Sequence, residues 1–270
     1  MITKLPLVIL FLAGFIALLS CSKETDSTLN DSLKIEIVKY HKKSAGCNGS
    51  VQDNCAEIKI EFPQFTMNNK TVEEKINSAV YNNFVKGLSD TSFSASFEEI
   101  MDRFINEYDA FIKEYSDSPQ RWIIERTGKI IFNKVNIISL DCTDYSYTGG
   151  AHPNTYVTFI NFNLKNGNEI KLDELIQPSS QNELRMIAEL EFRILKELKP
   201  DDDLGQAGFW FENNQFKLND NFLITDSSLV FYYNNYEITA YAFGPTELVI
   251  PYLKIKNLVD ENSLLSPLMN

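Results

Sequence analysis

An α+β fold with largely antiparallel sheets follows from three features of the sequence. Strand-length stretches that alternate apolar and polar residues occur near both ends of the chain. Three longer segments instead carry an apolar residue every three or four positions. Most strand-like stretches are separated only by short turns, which join antiparallel neighbours, so the helices pack on one face rather than alternating with strands.

The elements read in the order β-β-α-α-β-β-β-α-β-β-β. Leu33 to Tyr40 and Ala56 to Pro63 alternate as half-buried strands and suit an antiparallel pair. Thr71 to Leu88 places Val72, Ile76, Val80 and Phe84 on one helical face, with Asn68 or Asn69 available as N-cap. Ser96 to Tyr115 repeats the pattern through Phe97, Ile100, Phe104, Tyr108 and Phe111. Arg121 to Tyr147 is dense in β-branched and aromatic residues, and Thr127-Gly128 is the expected break between its two strands. Thr155 to Leu164 is another alternating strand, followed by a tight turn at Asn166-Gly167. Glu169 to Ile176 reads as a short strand running into a helical turn. Gln181 to Leu198 is the third long helix, ended by Pro200, and Asp201 to Asp203 form a solvated loop. Short strands return in Asn221 to Thr239, with turns at Asp226-Ser227-Ser228 and Asn234-Asn235, and in Thr246 to Ile255.

The N-terminus is an address rather than part of this fold. Lys4 precedes an uncharged apolar run from Leu5 to Ser20, too short for a spanning helix, and Leu18-Leu19-Ser20-Cys21 looks like a bacterial lipobox. Residues 1–20 are expected to be a signal peptide, with Cys21 acylated and anchored through its lipid chains. Residues 21–32 are polar and read as a tether. Ser22 after the cysteine and the acidic residues close by point to the outer membrane, on its periplasmic or surface face. The organisation expected beyond the tether is an α+β domain over 33–164, a second over 165–260, and a tail over 261–270.

The net charge of −12 excludes most nucleic-acid binders, because no basic stretch offsets it. It favours a cationic partner, and it also serves solubility. Cys47 and Cys55 flank a polar, turn-forming segment and read as a small disulfide in an oxidising compartment. A zinc site there would have only His41 to add to them. Cys142 lies in an apolar strand pattern and reads as a buried, inert thiol.

The segment Tyr-Ser-Tyr-Thr-Gly-Gly-Ala-His-Pro-Asn, residues 145–154, concentrates unusual residues. Gly149 and Gly150 permit a sharp connection, and Pro153 keeps His152 extended. His152 is one of two histidines in the chain, with Asp141 and Asp144 close in sequence. No Gly-x-Ser-x-Gly motif, complete metal set or cofactor motif accompanies it. Tyr145, Tyr147, Gly149, Gly150, His152 and Asn154, with Tyr232 and Tyr233 from the tail, are the candidate contact residues, since aromatic rings stack on sugars and anchor protein interfaces.

The stretch from Tyr145 to Ile176, together with the Tyr-rich strand, Gly244-Pro245 and Ile250-Pro251-Tyr252 of the tail, resembles a family of bacterial extracytoplasmic proteins. In that family a DUF4163-type domain, similar to the N-terminal part of a peptidoglycan deacetylase, precedes a DUF3298-type domain. The resemblance covers the chain from about Leu33 to Val259 and extends to the lysozyme-binding region of a lysozyme-sensing anti-sigma factor. It implies a lipid-anchored binding protein for a cell-wall glycan or for an extracellular protein such as lysozyme. It carries over no catalytic residue, because the deacetylase chemistry sits in a separate domain. Two other readings stand beside it: an envelope hydrolase using His152 with Asp141 or Asp144, and a purely structural envelope component.

Overall fold

The computed structural model describes residues 33–48, 54–88, 96–117 and 120–269. The expected signal peptide, Cys21 and the expected tether lie outside the described residues. Residues 33–270 form one compact unit.

The first sheet has five strands in chain order, β1 (Lys34–Lys43), β2 (Ala56–Thr66), β3 (Trp122–Lys134), β4 (Ile137–Tyr147) and β5 (Asn154–Asn163). Strands β1 and β2 pair antiparallel, as do β3 with β4 and β4 with β5. β2 and β3 run parallel. Two helices cross between them, α1 (Lys70–Val85) and α2 (Phe97–Glu114), and this long crossover returns the chain to the starting end, as parallel pairing demands. The sheet remains largely antiparallel.

Both helices begin as their sequences dictate. The Asn69 side chain accepts from the Val72 amide, and Ser96 forms a capping box with Glu99. Their apolar faces, Val72, Ile76, Val80 and Phe84 from α1 and Phe97, Ile100, Phe104 and Tyr108 from α2, meet Ile58, Ile60, Ile138 and Leu140 of the sheet in one core. Cys47 and Cys55 are joined in a disulfide with Cα atoms 5.4 Å apart, closing the β1–β2 connection.

The break expected at Thr127-Gly128 does not occur. β3 runs straight through both residues and turns at Val135-Asn136, each with positive φ. Gly128 serves a different purpose. A Cβ there would stand 2.9 Å from the Phe84 ring and 3.0 Å from the Pro63 ring, so glycine admits the end of α1 onto the sheet. Val135 accepts a conformation costly for a β-branched residue while packing its side chain against the second core.

The second sheet is β6 (Phe222–Ile224), β7 (Ser228–Tyr233) and β8 (Thr246–Pro251), all antiparallel. It is preceded by the short α3 (Leu172–Leu175) and by α4 (Gln181–Leu195), and followed by α5 (Tyr252–Ile255). α4 stops three residues before the expected Leu198, and Glu197 takes a left-handed conformation. The Asn166-Gly167 turn is present, with Gly167 at φ +74° and its amide donating to the Asn163 carbonyl. One face of the second sheet packs Phe222, Ile224, Phe231 and Ile250 against Leu184, Ala188 and Phe192 of α4, and Phe132 and Ile137 of the first sheet join this core.

The two sheets are joined by asparagines rather than by a backbone ladder. Asn234 accepts from the Val157 amide and donates to the Val157 carbonyl, at 2.7 and 2.9 Å. Asn221 accepts from the Phe159 amide at 2.7 Å and donates to the Val157 carbonyl at 2.9 Å. From the other side, Asn161 donates to the Phe222 carbonyl and accepts from the Ile224 amide. A carboxamide carries the same donor and acceptor as a peptide unit. Asn221 and Asn234 therefore stand in for a strand along the edge of β5, and Asn161 of β5 does the same for β6, where unpaired backbone groups would be costly to bury.

Candidate functional site

On the face of the first sheet that carries the helices, α1 ends before the β4–β5 hairpin and leaves a groove of about 530 Å³. Its floor comes from alternate residues of three strands, Ile124 and Arg126 of β3, Cys142 and Asp144 of β4, and Tyr156 and Thr158 of β5. Because side chains alternate across a strand, a register that buries Ile138 and Leu140 under the helices also turns Cys142 and Asp144 to the same side. The last turn of α1, with Phe84 and Lys86, forms one wall, and Asn154 and Thr148 stand at the hairpin end. A second cavity of about 300 Å³ adjoins it, sharing Gly87, Leu88, Ile124 and Thr148 and adding Trp122 and Arg103.

Arg126 is the organising residue. It is only 7% exposed. Its Nη1 donates to the carbonyls of Phe84 and Lys86, at 2.6 and 2.8 Å, satisfying the open C-terminal end of α1. Its Nη2 pairs with Asp144 Oδ2 at 2.5 Å. Burial pulls the guanidinium below its ordinary pKa while Asp144 pulls it back up, and an arginine stays charged in either case. Two atoms of the pair, Arg126 Nε and Asp144 Oδ1, have no hydrogen-bond partner. Cys142 beside them is buried, and desolvation, with Asp141 adding to it, pushes its thiol up to about 12, as an unreactive cysteine requires.

The 145–154 segment makes a sharp hairpin. Gly149 and Gly150 both take positive φ, and the Tyr147 hydroxyl donates to the Gly150 carbonyl at 3.1 Å. Tyr145 is half-buried on β4. His152 is exposed and stacks on Tyr241, with ring centroids 3.8 Å apart and planes 16° apart. Its Nδ1 lies 2.9 Å from the Pro153 carbonyl, which can only accept, so this nitrogen carries the proton. Nε2 lies 3.2 Å from the Tyr236 hydroxyl. The Tyr241 hydroxyl donates to the same Pro153 carbonyl at 3.1 Å. His152 therefore pins the hairpin to the C-terminal region.

Several expectations are corrected by this geometry. The dyad of His152 with Asp141 or Asp144 is not assembled, since both ring nitrogens are engaged elsewhere, Asp144 pairs with Arg126, and Asp141 accepts from Thr143. Tyr233 is 1% exposed and belongs to the core, its hydroxyl donating to the Lys217 carbonyl. Tyr232 points to the opposite face and packs edge-on against Phe159. His41 contacts Glu57, and both nearby cysteines are spent on the disulfide. Asn154 does line the groove. Arg126, Asp144 and Tyr156 are the groove residues that the sequence reading passed over as contacts. The usable signal was a lone arginine at an inward position of an otherwise apolar strand.

Comparison with known proteins agrees with this two-part construction. Residues 50–155 match the family model described as Deacetylase PdaC, and residues 163–253 match that of a protein of unknown function, DUF3298. The chain thus has a region similar to PdaC followed by one similar to DUF3298. The peptidoglycan-N-acetylmuramic acid deacetylase PdaC of Bacillus subtilis (strain 168) is 22% identical over 240 residues, covering 86% of this chain and 46% of that protein. The chain therefore spans less than half the length of this relative. A DUF3298 family member from Bacteroides fragilis NCTC 9343 superposes with a TM-score of 0.70 at 19% identity, covering 88% of this chain and 97% of that one. Another from Pseudomonas aeruginosa PAO1 gives 0.61 at 19% identity, covering 86% and 96%. At such identities the likeness is one of fold.

Proposed function

We propose that this is a cell-envelope binding protein, held at the outer membrane by a lipid on Cys21, whose groove takes a cell-wall glycan. The observation that carries the reading is the groove itself. Its volume of about 530 Å³ falls within the range of small-ligand sites, about 300–1,000 Å³. Its lining suits a sugar: hydroxyls of Ser146 and Thr158, the Asn154 amide, the Arg126–Asp144 pair, and the Tyr156 ring, which is 52% exposed. A peptidoglycan deacetylase that shares the region building this groove supports the same ligand class.

The net charge of −12 favours a second reading, a basic protein partner such as lysozyme. Calorimetric titration of residues 33–270 with soluble peptidoglycan fragments, and separately with lysozyme, tests both. The glycan reading expects saturable heat with the fragments that persists at high salt and weakens in Tyr156→Ala. Heat with lysozyme alone, fading as salt is added, would replace it with the protein-partner reading.

A further inference from the structure

We propose that the Arg126–Asp144 pair reads an acetamido group, so that the groove selects N-acetylated sugars; this rests on the glycan reading above. The pair is net neutral and lies in the groove floor. It therefore does not call for an anion or a cation. It leaves one donor, Arg126 Nε, and one acceptor, Asp144 Oδ1, without partners. A secondary amide offers the matching set, an N–H for the carboxylate and a C=O for the guanidinium. A buried orphan donor beside a buried orphan acceptor is costly, and a ligand that satisfies both recovers that cost.

The mobility needed is on the aspartate. Both orphan atoms are shielded from solvent, while the Asp144 side chain as a whole is 32% exposed. The terminal torsion of an aspartate is soft, so rotating the carboxylate presents Oδ1 to the groove. Arg126 cannot swing in the same way, because Nη1 is held by two carbonyls of α1. It acts as the fixed half of the reader, and a ligand reaches its Nε only once the carboxylate has turned aside. The acetyl methyl then meets the apolar part of the lining, Phe84, Ile124 and Cys142.

The test is titration of the full chain with chitotetraose and with cellotetraose, which carries a hydroxyl where each acetamido group stands. Wild-type protein is expected to bind chitotetraose about tenfold or more tightly than cellotetraose. Asp144→Asn is nearly isosteric, and Arg126 will hold its amide oxygen, which places an NH₂ where the free acceptor stood. That variant is expected to lose the preference, the ratio of the two affinities falling to about one; general loosening of the fold would weaken both sugars and leave the ratio standing. Equal binding of the two sugars by wild-type protein overturns the acetamido assignment and leaves a glycan groove standing. Binding of neither overturns the glycan reading with it. Should Asp144→Asn fail to fold, the two sugars on the wild-type chain still decide the matter.

Discussion

In the first region α1 and α2 lie chiefly over β1 and β2, and the sheet continues past them into β4 and β5. In the second, α4 packs against β8 and α5, and Phe192 of α4 is surrounded by Phe209, Phe211 and Phe216. Both regions lay helices on one face of a sheet, and in the first a polar strip of that face lies uncovered beyond the end of α1. An inward-facing strand position under a helix must be apolar. The same position beyond the helix end is free to carry Arg126 or Asp144, with the helix carbonyls themselves as partners. The site arises where the layers are out of register.

Because Phe192 lies wholly inside its core and Phe84 stands at the groove wall, equivalent truncations should differ. Phe192→Ala removes a fully buried ring from the second core and is expected to cost about 5 kcal/mol of stability, near the top of the range for such changes. Phe84→Ala, at the groove wall, is expected to cost about 3 kcal/mol, because groove side chains and water can occupy the space left. Urea unfolding of the two variants measures the difference. Equal losses would mean that the groove does not soften its wall.

The junction between the regions gives a smaller effect. Asn234→Ala leaves the Val157 amide without its acceptor at a buried position, for an expected loss of about 1–3 kcal/mol. Hydrogen exchange should show the Val157 amide losing protection while the amides of β2 keep theirs. Uniform loss across both sheets would mean that the regions unfold as one unit through this contact.

The fold was legible in the sequence because it rests on periodicity. The apolar spacing of Val72, Ile76, Val80 and Phe84 and the alternation of β1 and β2 are local signals, and each element forms where its signal lies. The site was not, because its chemistry depends on where a helix stops over a distant strand. Gly128 shows the difficulty: it reads as a turn by composition and acts as a clearance for Phe84, more than forty positions away. Tyr232 and Tyr233 show what alternation alone could have settled. Adjacent strand residues face opposite ways, so the two could not serve one surface. Asn221 and Asn234 carry no local mark of their task, since an asparagine that caps a strand edge looks like any turn asparagine.

The smallest expected effect lies on the opposite face of the first sheet, where Glu57 gathers charges much as Arg126 does on the helix face. Its carboxylate accepts from Lys59 and His41, each at 3.0 Å, and from Arg121 at 3.1 Å. Burial alone would raise its pKa, but the bonds from Lys59 and His41 outweigh burial and leave it lowered. A carboxylate lowered on folding contributes stability above its unfolded pKa, and that contribution disappears as pH falls through the folded value. Glu57→Gln is therefore expected to cost up to about 1 kcal/mol at neutral pH and nothing well below pH 4.5. Wild-type and variant melting curves should converge on acidification. A gap that stays constant with pH would show that Glu57 acts through packing rather than through its charge.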